Sequence, residues 1–189
     1  MSADSVFTQF PTLTTERLVL RQLEPRDDET LFVIKSNFEV TKHYGQEAHR
    51  SIDDTREWME KVQAGYEQRL DMAWCVTRRG EDKLIGVITL WNLDPAYHHG
   101  EIGYELNPAD EKQGIMTEAL SAVLTFAFTD FGLHRLEATP FADNPPSVAM
   151  LARLGFTLEG TLRQRYFFRD HYKDQHYYGL LQEEWLNSR

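Results

Sequence analysis

EKQGIMTEAL, residues Glu111 to Leu120, is the stretch on which the reading of this chain turns. From Gly114 onward the apolar residues Met116, Leu120, Val123, Leu124 and Ala127 recur at helical spacing, and Gly132 supplies a stop. Just before it, GEIGYELNP reads as a strand that ends at Leu106 and Asn107. A strand therefore runs into a helix through a short loop whose last residue is glycine. Such a helix start leaves backbone N–H groups unpaired, and with the helix dipole they form a place for an anion. Thr117 adds a hydroxyl nearby and Lys112 a positive charge. Read alone, one glycine is first of all a chain turn, so the rest of the sequence decides between a joint and a binding loop.

Upstream, MAWCVTRR, KLIGVITLWNL and GEIGYELNP read as an antiparallel meander joined at Arg79-Gly80-Glu81-Asp82 and at Asp94-Pro95-Ala96. RLVLRQL, with Leu18, Leu20 and Leu23, is the first strand. Two helices follow it. One begins after Pro25, with Asp27, Asp28 and Glu29 at its positive end and Leu31, Phe32 and Ile34 inside. The other begins at Ser51, where Asp54 completes a capping box ahead of Trp58, Met59, Val62 and Tyr66. Downstream, HRLEATPF is a strand, Asn144 caps a short helix with Pro145 at its first position and Gly155 at its end, and TLEGTLRQRYFF and DQHYYGLL are the last strands. No repeat or linker divides residues 1–189. They read as a single α/β (α+β) domain, with a mixed, mostly antiparallel central sheet of about six or seven strands flanked by helices.

Composition narrows the function. Hydrophobic residues make up 41% and no apolar run reaches the ~20 residues of a membrane helix, so no membrane partner is expected. The opening MSADSVFTQFPTLTTERLVL lacks a basic segment followed by an apolar core, which points to a cytoplasmic location. Cys75 is the only cysteine, which excludes an internal disulfide and a multi-thiolate zinc site, and MAWCVT suggests a buried strand thiol. With 20 basic against 30 acidic residues the net charge is −10, which disfavours nucleic acid and suits a cationic acceptor. His98, His99, His134, His171 and His176 show no metal-ligand spacing and read as turn and surface residues. Walker, dinucleotide, zincin and serine-hydrolase motifs are all missing.

Three ordered segments resemble the GNAT N-acetyltransferase superfamily, and within it the RimJ/RimL branch that acetylates N-terminal amines of ribosomal proteins. They are LTTERLVLRQLEPRD, QGIMTEAL from Gln113 to Leu120, and DNPPSVAMLARLGFTLEGTLR, whose frame runs from Asn144 through Ser147 to Gly155 and Phe156. The resemblance implies acetyl-CoA as co-substrate without a metal. Backbone groups from Gln113 through Gly114, Ile115 and Met116 to Thr117 would hold its pyrophosphate, and the pantetheine arm would lie along the strand edge at Leu106 and Asn107. Asn144 would touch that arm, or act only as a helix cap. Ser147 would assist the departing thiolate. Two positions depart from the family's coenzyme loop, Glu111 where Gln or Arg is usual and Met116 where Gly or Ala is usual.

Glu101 and Glu105 share one face of their strand, opposite Ile102, Tyr104 and Leu106, and read either as solvated carboxylates or as the place of a base. By resemblance Glu101 stands about where several superfamily members carry a catalytic glutamate. A further glutamate of some RimL-type enzymes falls at Tyr166 here, so that base does not carry over. The acceptor sets how much base is needed: an α-amine is roughly 10–20% neutral at pH 7, a lysine below about 0.1%. The implied activity is acetyl transfer from acetyl-CoA to a protein N-terminal α-amine by direct attack in a ternary complex. A polyamine, an aminoglycoside or another small amine is the alternative acceptor. A non-catalytic coenzyme A-binding module is the other alternative, and a homodimer is left open.

Overall fold

The computed structural model describes residues 6–42, 45–94 and 96–188. Its strands are β1 (Leu13–Thr14), β2 (Leu18–Gln22), β3 (Met72–Arg78), β4 (Leu84–Asp94), β5 (His99–Leu106), β6 (Arg135–Ala138), β7 (Thr157–Phe168) and β8 (His171–Leu181). The helices are α1 (Asp28–Lys35), α2 (Phe38–Thr41), α3 (Ile52–Glu67), α4 (Ile115–Thr129), α5 (Pro145–Arg153) and α6 (Gln182–Asn187). All eight strands join one sheet in the order β1-β2-β3-β4-β5-β6-β8-β7, antiparallel except for the β5–β6 pair. The sequence pattern shows seven of these strands. The eighth, β1, is two residues long and pairs only with β2, too short to carry a period. Helices α2 and α6, of four and six residues, escape the pattern for the same reason.

The local signals behave as their chemistry requires. Ser51 and Asp54 form the capping box of α3, Asn144 Oδ1 accepts the Ser147 N–H at the start of α5, and Gly132 and Gly155 take positive φ just past α4 and α5. Asp94 Oδ1 accepts the Ala96 and Tyr97 N–H groups in the turn between β4 and β5; its Pro95 lies outside the described residues.

The two faces of the sheet are covered differently. On one, α1 and α3 pack Leu31, Ile34, Trp58, Met59 and Val62 over Ala73, Cys75 and Val87. On the other, α4 buries Ile115, Met116, Ala119, Leu120, Val123, Leu124, Phe126, Ala127 and Phe128. That set is wider than the stripe read from the sequence, because Trp185 of α6 covers Phe128 while Trp74 of β3 and Phe131 flank Phe126. A helix buried on more than one side is apolar over more than one stripe.

β5 and β6 hold together for only three pairs, His99 with Arg135, Gly100 with Leu136 and Glu101 with Glu137. Beyond Glu101, β5 stays paired to β4 as far as Leu106, while β6 continues against β8. The sheet therefore opens into a cleft along the second half of β5. Among the described residues, no helix is long and apolar enough to cross a membrane.

Candidate active site

The Asn107 N–H bonds the Ile85 carbonyl on β4 at 2.8 Å. Because successive residues of a strand turn their main-chain groups to opposite edges, the N–H of Leu106 and the N–H and C=O of Tyr104 point to the other edge, into the cleft. An extended ligand arm can bond there as an added strand would. Asn107 itself is occupied: its Oδ1 caps the Pro108–Asp110 turn at Ala109, and its carbonyl accepts the Asp110 N–H.

At the end of that turn Gly114 is the N-cap of α4, with φ 75° and no side-chain cap. The left-handed conformation is what glycine permits cheaply. A Cβ placed there would meet only Arg17 Nη2, at 3.5 Å, so backbone conformation rather than crowding selects the residue. The N–H groups of Ile115, Met116 and Thr117 form the open first turn of the helix. The Thr117 hydroxyl does not face this opening alone; it donates to Met150 Sδ on α5 at 3.3 Å and ties the two helices together.

The loop is held from behind by residues the sequence reading missed. Arg17 Nη1 donates to the Gln113 carbonyl at 3.0 Å and Arg17 Nε to Glu118 at 2.6 Å. Arg78 bonds Asp110 at 2.8 Å and Gln113 Oε1 at 3.0 Å, and Gln113 Nε2 reaches the Ala109 carbonyl. Glu118 also accepts the Thr15 hydroxyl and the Arg17 N–H. Burial opposes ionisation of Glu118, but these hydrogen bonds outweigh it and hold the carboxyl below its usual range. A carboxylate in the first turn of α4 would repel a phosphate; here its charge is matched by Arg17.

Across the cleft, Ser147 sits in the first turn of α5. Its N–H goes to Asn144 Oδ1 at 3.2 Å, and its Oγ lies 2.9 Å from the hydroxyl of Tyr104. Asn144 is spent on capping: its N–H bonds Phe141 and its carbonyl accepts from Val148. Burial pushes the Tyr104 phenol up to about 12, although its hydrogen bond with Ser147 acts the other way.

The opposite face of β5 carries the carboxylates. Glu101 is half-buried, at the last residue where β5 and β6 still pair, and its Oε1 accepts Asn92 Nδ2 at 2.7 Å. Glu105 is not the solvated carboxylate that one sequence reading allowed. Lys35 of α1, itself buried, bonds Glu105 Oε1 at 2.8 Å and lies 3.8 Å from the centroid of the Trp58 ring, while Glu105 Oε2 is buried without a partner among the described residues. Between these two glutamates the Trp91 indole lies on Gly103, where a Cβ would come within 2.6 Å of the ring. Among the described residues, no group of three or more His, Cys, Asp and Glu side chains converges as a metal site. His99, read as a turn residue, instead begins β5 with its Nδ1 buried.

The cleft thus brings together Leu106 and Tyr104 of β5, Ser147 facing them from α5, and the Gly114 loop at one end, with Glu101 on the reverse face of β5. Arg78, Tyr104 and Lys35 carry no local motif, and Arg17 lies in the segment LTTERLVLRQLEPRD, which gives it no role by itself. Only Tyr104 left a trace, as an aromatic on the strand face that also bears Leu106.

The open main-chain edge and the free helix start fit the pantetheine arm and the pyrophosphate of a coenzyme A thioester. Comparison with known proteins agrees. Residues 17–157 match the family model described as an acetyltransferase (GNAT) domain. The chain is similar to the uncharacterized N-acetyltransferase YoaA of Bacillus subtilis (strain 168), at 38% identity over 155 residues that cover 82% of this chain and 88% of that one. It is also similar to the ribosomal-protein-serine acetyltransferase of Escherichia coli (strain K12), at 39% identity over 101 residues covering 53% and 56%. Among solved structures, the spermidine N-acetyltransferase of Vibrio cholerae in complex with CoA and spermine superposes with a TM-score of 0.82 at 23% identity, covering 92% of this chain and 100% of that one. The chain belongs to the GNAT acetyltransferase family and is an acetyl-CoA-dependent N-acetyltransferase.

Proposed function

We propose that the acceptor is the N-terminal α-amine of a protein, such as a ribosomal protein, and that residues 1–189 act as one acetyltransferase domain in the cytoplasm, where acetyl-CoA is available. The observation that carries this reading is the state of the carboxylates on the acceptor face of β5. Glu105 is committed to Lys35 and Glu101 is held by Asn92. That leaves Glu101 as the one carboxylate of this face available to help the amine, and it is already engaged by Asn92. An α-amine with pKa near 7.8 needs only weak help, whereas a lysine or polyamine nitrogen near 10.4 must first lose a tightly held proton.

In this reading the backbone from Gln113 to Thr117 holds the pyrophosphate, and the free edge of β5 at Leu106 holds the pantetheine arm. The amine reaches the thioester from the Glu101 face through the opening between β5 and β6, so both substrates are bound together before reaction. Leu106 N–H, already aimed into the cleft, stabilises the carbonyl oxygen as it gains charge. Glu101, directly or through a water, takes the ammonium proton, and Ser147 gives a hydrogen bond to the departing sulfur. The RimJ/RimL-like motifs and the similarity to the ribosomal-protein-serine acetyltransferase support this acceptor class. The net charge of −10 favours a second reading, a small cationic amine such as a polyamine or aminoglycoside.

The test is coenzyme A release from acetyl-CoA with four acceptors: a peptide with a free α-amine, the same peptide N-blocked but carrying lysine, a polyamine, and an aminoglycoside. Release with the α-amine peptide alone is expected. Release only with the polyamine or aminoglycoside replaces the acceptor and keeps the chemistry, while tight acetyl-CoA binding without release for any amine supports a coenzyme-binding module.

A further inference from the structure

The hydrogen bond between Tyr104 and Ser147 joins two residues that are 43 positions apart, from β5 and α5. Either oxygen can be the donor on geometry alone, and chemistry chooses between them. A phenol, with pKa near 10, is a far stronger acid than an aliphatic alcohol, hence the better donor and the poorer acceptor. The other acceptor near the phenol, the Ser147 carbonyl, is at 3.5 Å, the limit of a hydrogen bond, against 2.9 Å for Ser147 Oγ. The main-chain N–H of Ser147 is already satisfied by Asn144, so its hydroxyl is not needed as a cap. Among the described residues, Ser147 Oγ has no hydrogen-bond partner besides Tyr104.

We propose that Tyr104 is a positioning residue for acetyl transfer: it donates its phenolic hydrogen to Ser147 Oγ and so leaves the Ser147 hydroxyl hydrogen free to point at the departing sulfur. This rests on the reading of Ser147 given above. When the carbon–sulfur bond breaks, its electron pair stays on sulfur, and the thiolate accepts the Ser147 hydroxyl hydrogen bond. The amine nitrogen forms its bond to the carbonyl carbon as the carbon–sulfur bond breaks; the Tyr104–Ser147 pair neither gains nor loses a proton, and both protons lost between ammonium and amide leave on the Glu101 side. A hydroxyl that accepts one hydrogen bond is polarised to donate a stronger one, and the dry side of the cleft increases that effect. Burial of the phenol keeps it protonated, and hence a donor, throughout the working range of the enzyme.

The experiment compares Y104F, S147A and the double variant, each melted by circular dichroism beside the wild type. Y104F is expected to lower kcat about tenfold, with the KM for acetyl-CoA changed by no more than about twofold. S147A is expected to lower kcat on the order of a hundredfold. The double variant should be no slower than S147A, since Tyr104 acts only through that hydroxyl. A second readout does not depend on turnover: calorimetric affinity for coenzyme A relative to its S-methyl analogue, at a pH high enough to ionise part of the coenzyme's alkanethiol. The preference for the thiol should fall about tenfold in Y104F and to the same level or lower in S147A.

If S147A is impaired while Y104F keeps both the wild-type kcat and the wild-type thiol preference, the proposal is overturned. A Y104F enzyme with raised KM and lowered melting temperature but unchanged thiol preference overturns it too, because Tyr104 then only supports α5. An unimpaired S147A removes the underlying reading of Ser147 instead. Should Y104F not fold, 3-fluorotyrosine incorporated at position 104 keeps the ring and the hydroxyl and makes it a stronger donor, so unchanged kcat and unchanged thiol preference in that protein overturn the proposal.

Discussion

Replacing Lys35 with methionine should destabilise the protein by about 3–5 kcal/mol, although the change is conservative in volume and apolar in character. The reason is Glu105. The Lys35 side chain is 3% exposed and that of Glu105 15%, with the ammonium 2.8 Å from Oε1, and Oε2 is buried without a partner among the described residues. The methionine keeps the packing on Trp58 but leaves a carboxylate in a nearly dry site with its charge uncompensated. For a chain of this size each kcal/mol moves the melting temperature by roughly 2–4 °C, so the midpoint should fall by about 6–20 °C. Replacing both residues, K35M with E105L, removes the stranded charge; a buried ion pair exchanged for apolar residues of similar size is typically neutral or stabilising by about 1–4 kcal/mol. The double variant should therefore melt near or above the wild type, well above K35M. Thermal and urea unfolding of the two variants and the wild type measure this directly. A K35M protein within about 1 kcal/mol of wild type, or a double variant no better than K35M, would refute the reasoning. The double variant also separates structure from chemistry: it should retain turnover, since Glu101 and not Glu105 faces the amine in the proposed mechanism.

Two further predictions follow from the titrating groups. The folded pKa of Glu118 is depressed below its unfolded value of about 4.3, so its contribution to stability is present above that value and is lost as pH falls through the folded pKa. The melting-temperature difference between wild type and E118Q should accordingly be largest near neutral pH and shrink below about pH 4; a difference that grows on acidification contradicts the assigned sign. Cys75 is fully buried on β3, and burial, reinforced by Asp27, pushes its thiol up to about 12. It should resist thiol reagents in the folded protein and react at the rate of unfolding once denaturant is added; fast labelling of the native protein would place Cys75 nearer solvent than the fold does.

Local chemistry made much of this molecule readable from its order of residues. Periods of 2 and 3.6, the Ser51–Asp54 box, the Asn144-Pro145 helix start and Gly114 each act over a few residues, so the order of seven strands and the main helices was legible, as was the loop that resembles a coenzyme cradle. Two-residue β1 and the short α2 and α6 carry no period to read. β1 forms by pairing with β2 a few residues on, α2 by the Asn37 cap on the Glu39 N–H, and α6 by burial of Trp185 against the distant Phe128.

The site divides along the same line. Gly114 and its free helix start, the strand ending at Leu106, and Ser147 in the first turn of α5 are properties of neighbouring residues, and the sequence by itself determined them. Which carboxylate is engaged, which hydroxyl meets Ser147 and what steadies the loop were decided only in three dimensions. Lys35 meets Glu105 across 70 residues, Tyr104 meets Ser147 across 43, and Arg17 meets Glu118 across 101. No local rule couples such positions. The cleft itself belongs to the tertiary structure as well, because it exists only where β6, paired to β8 along its whole length, parts from β5 after Glu101, and an unpaired strand edge is defined by the neighbour that is not there.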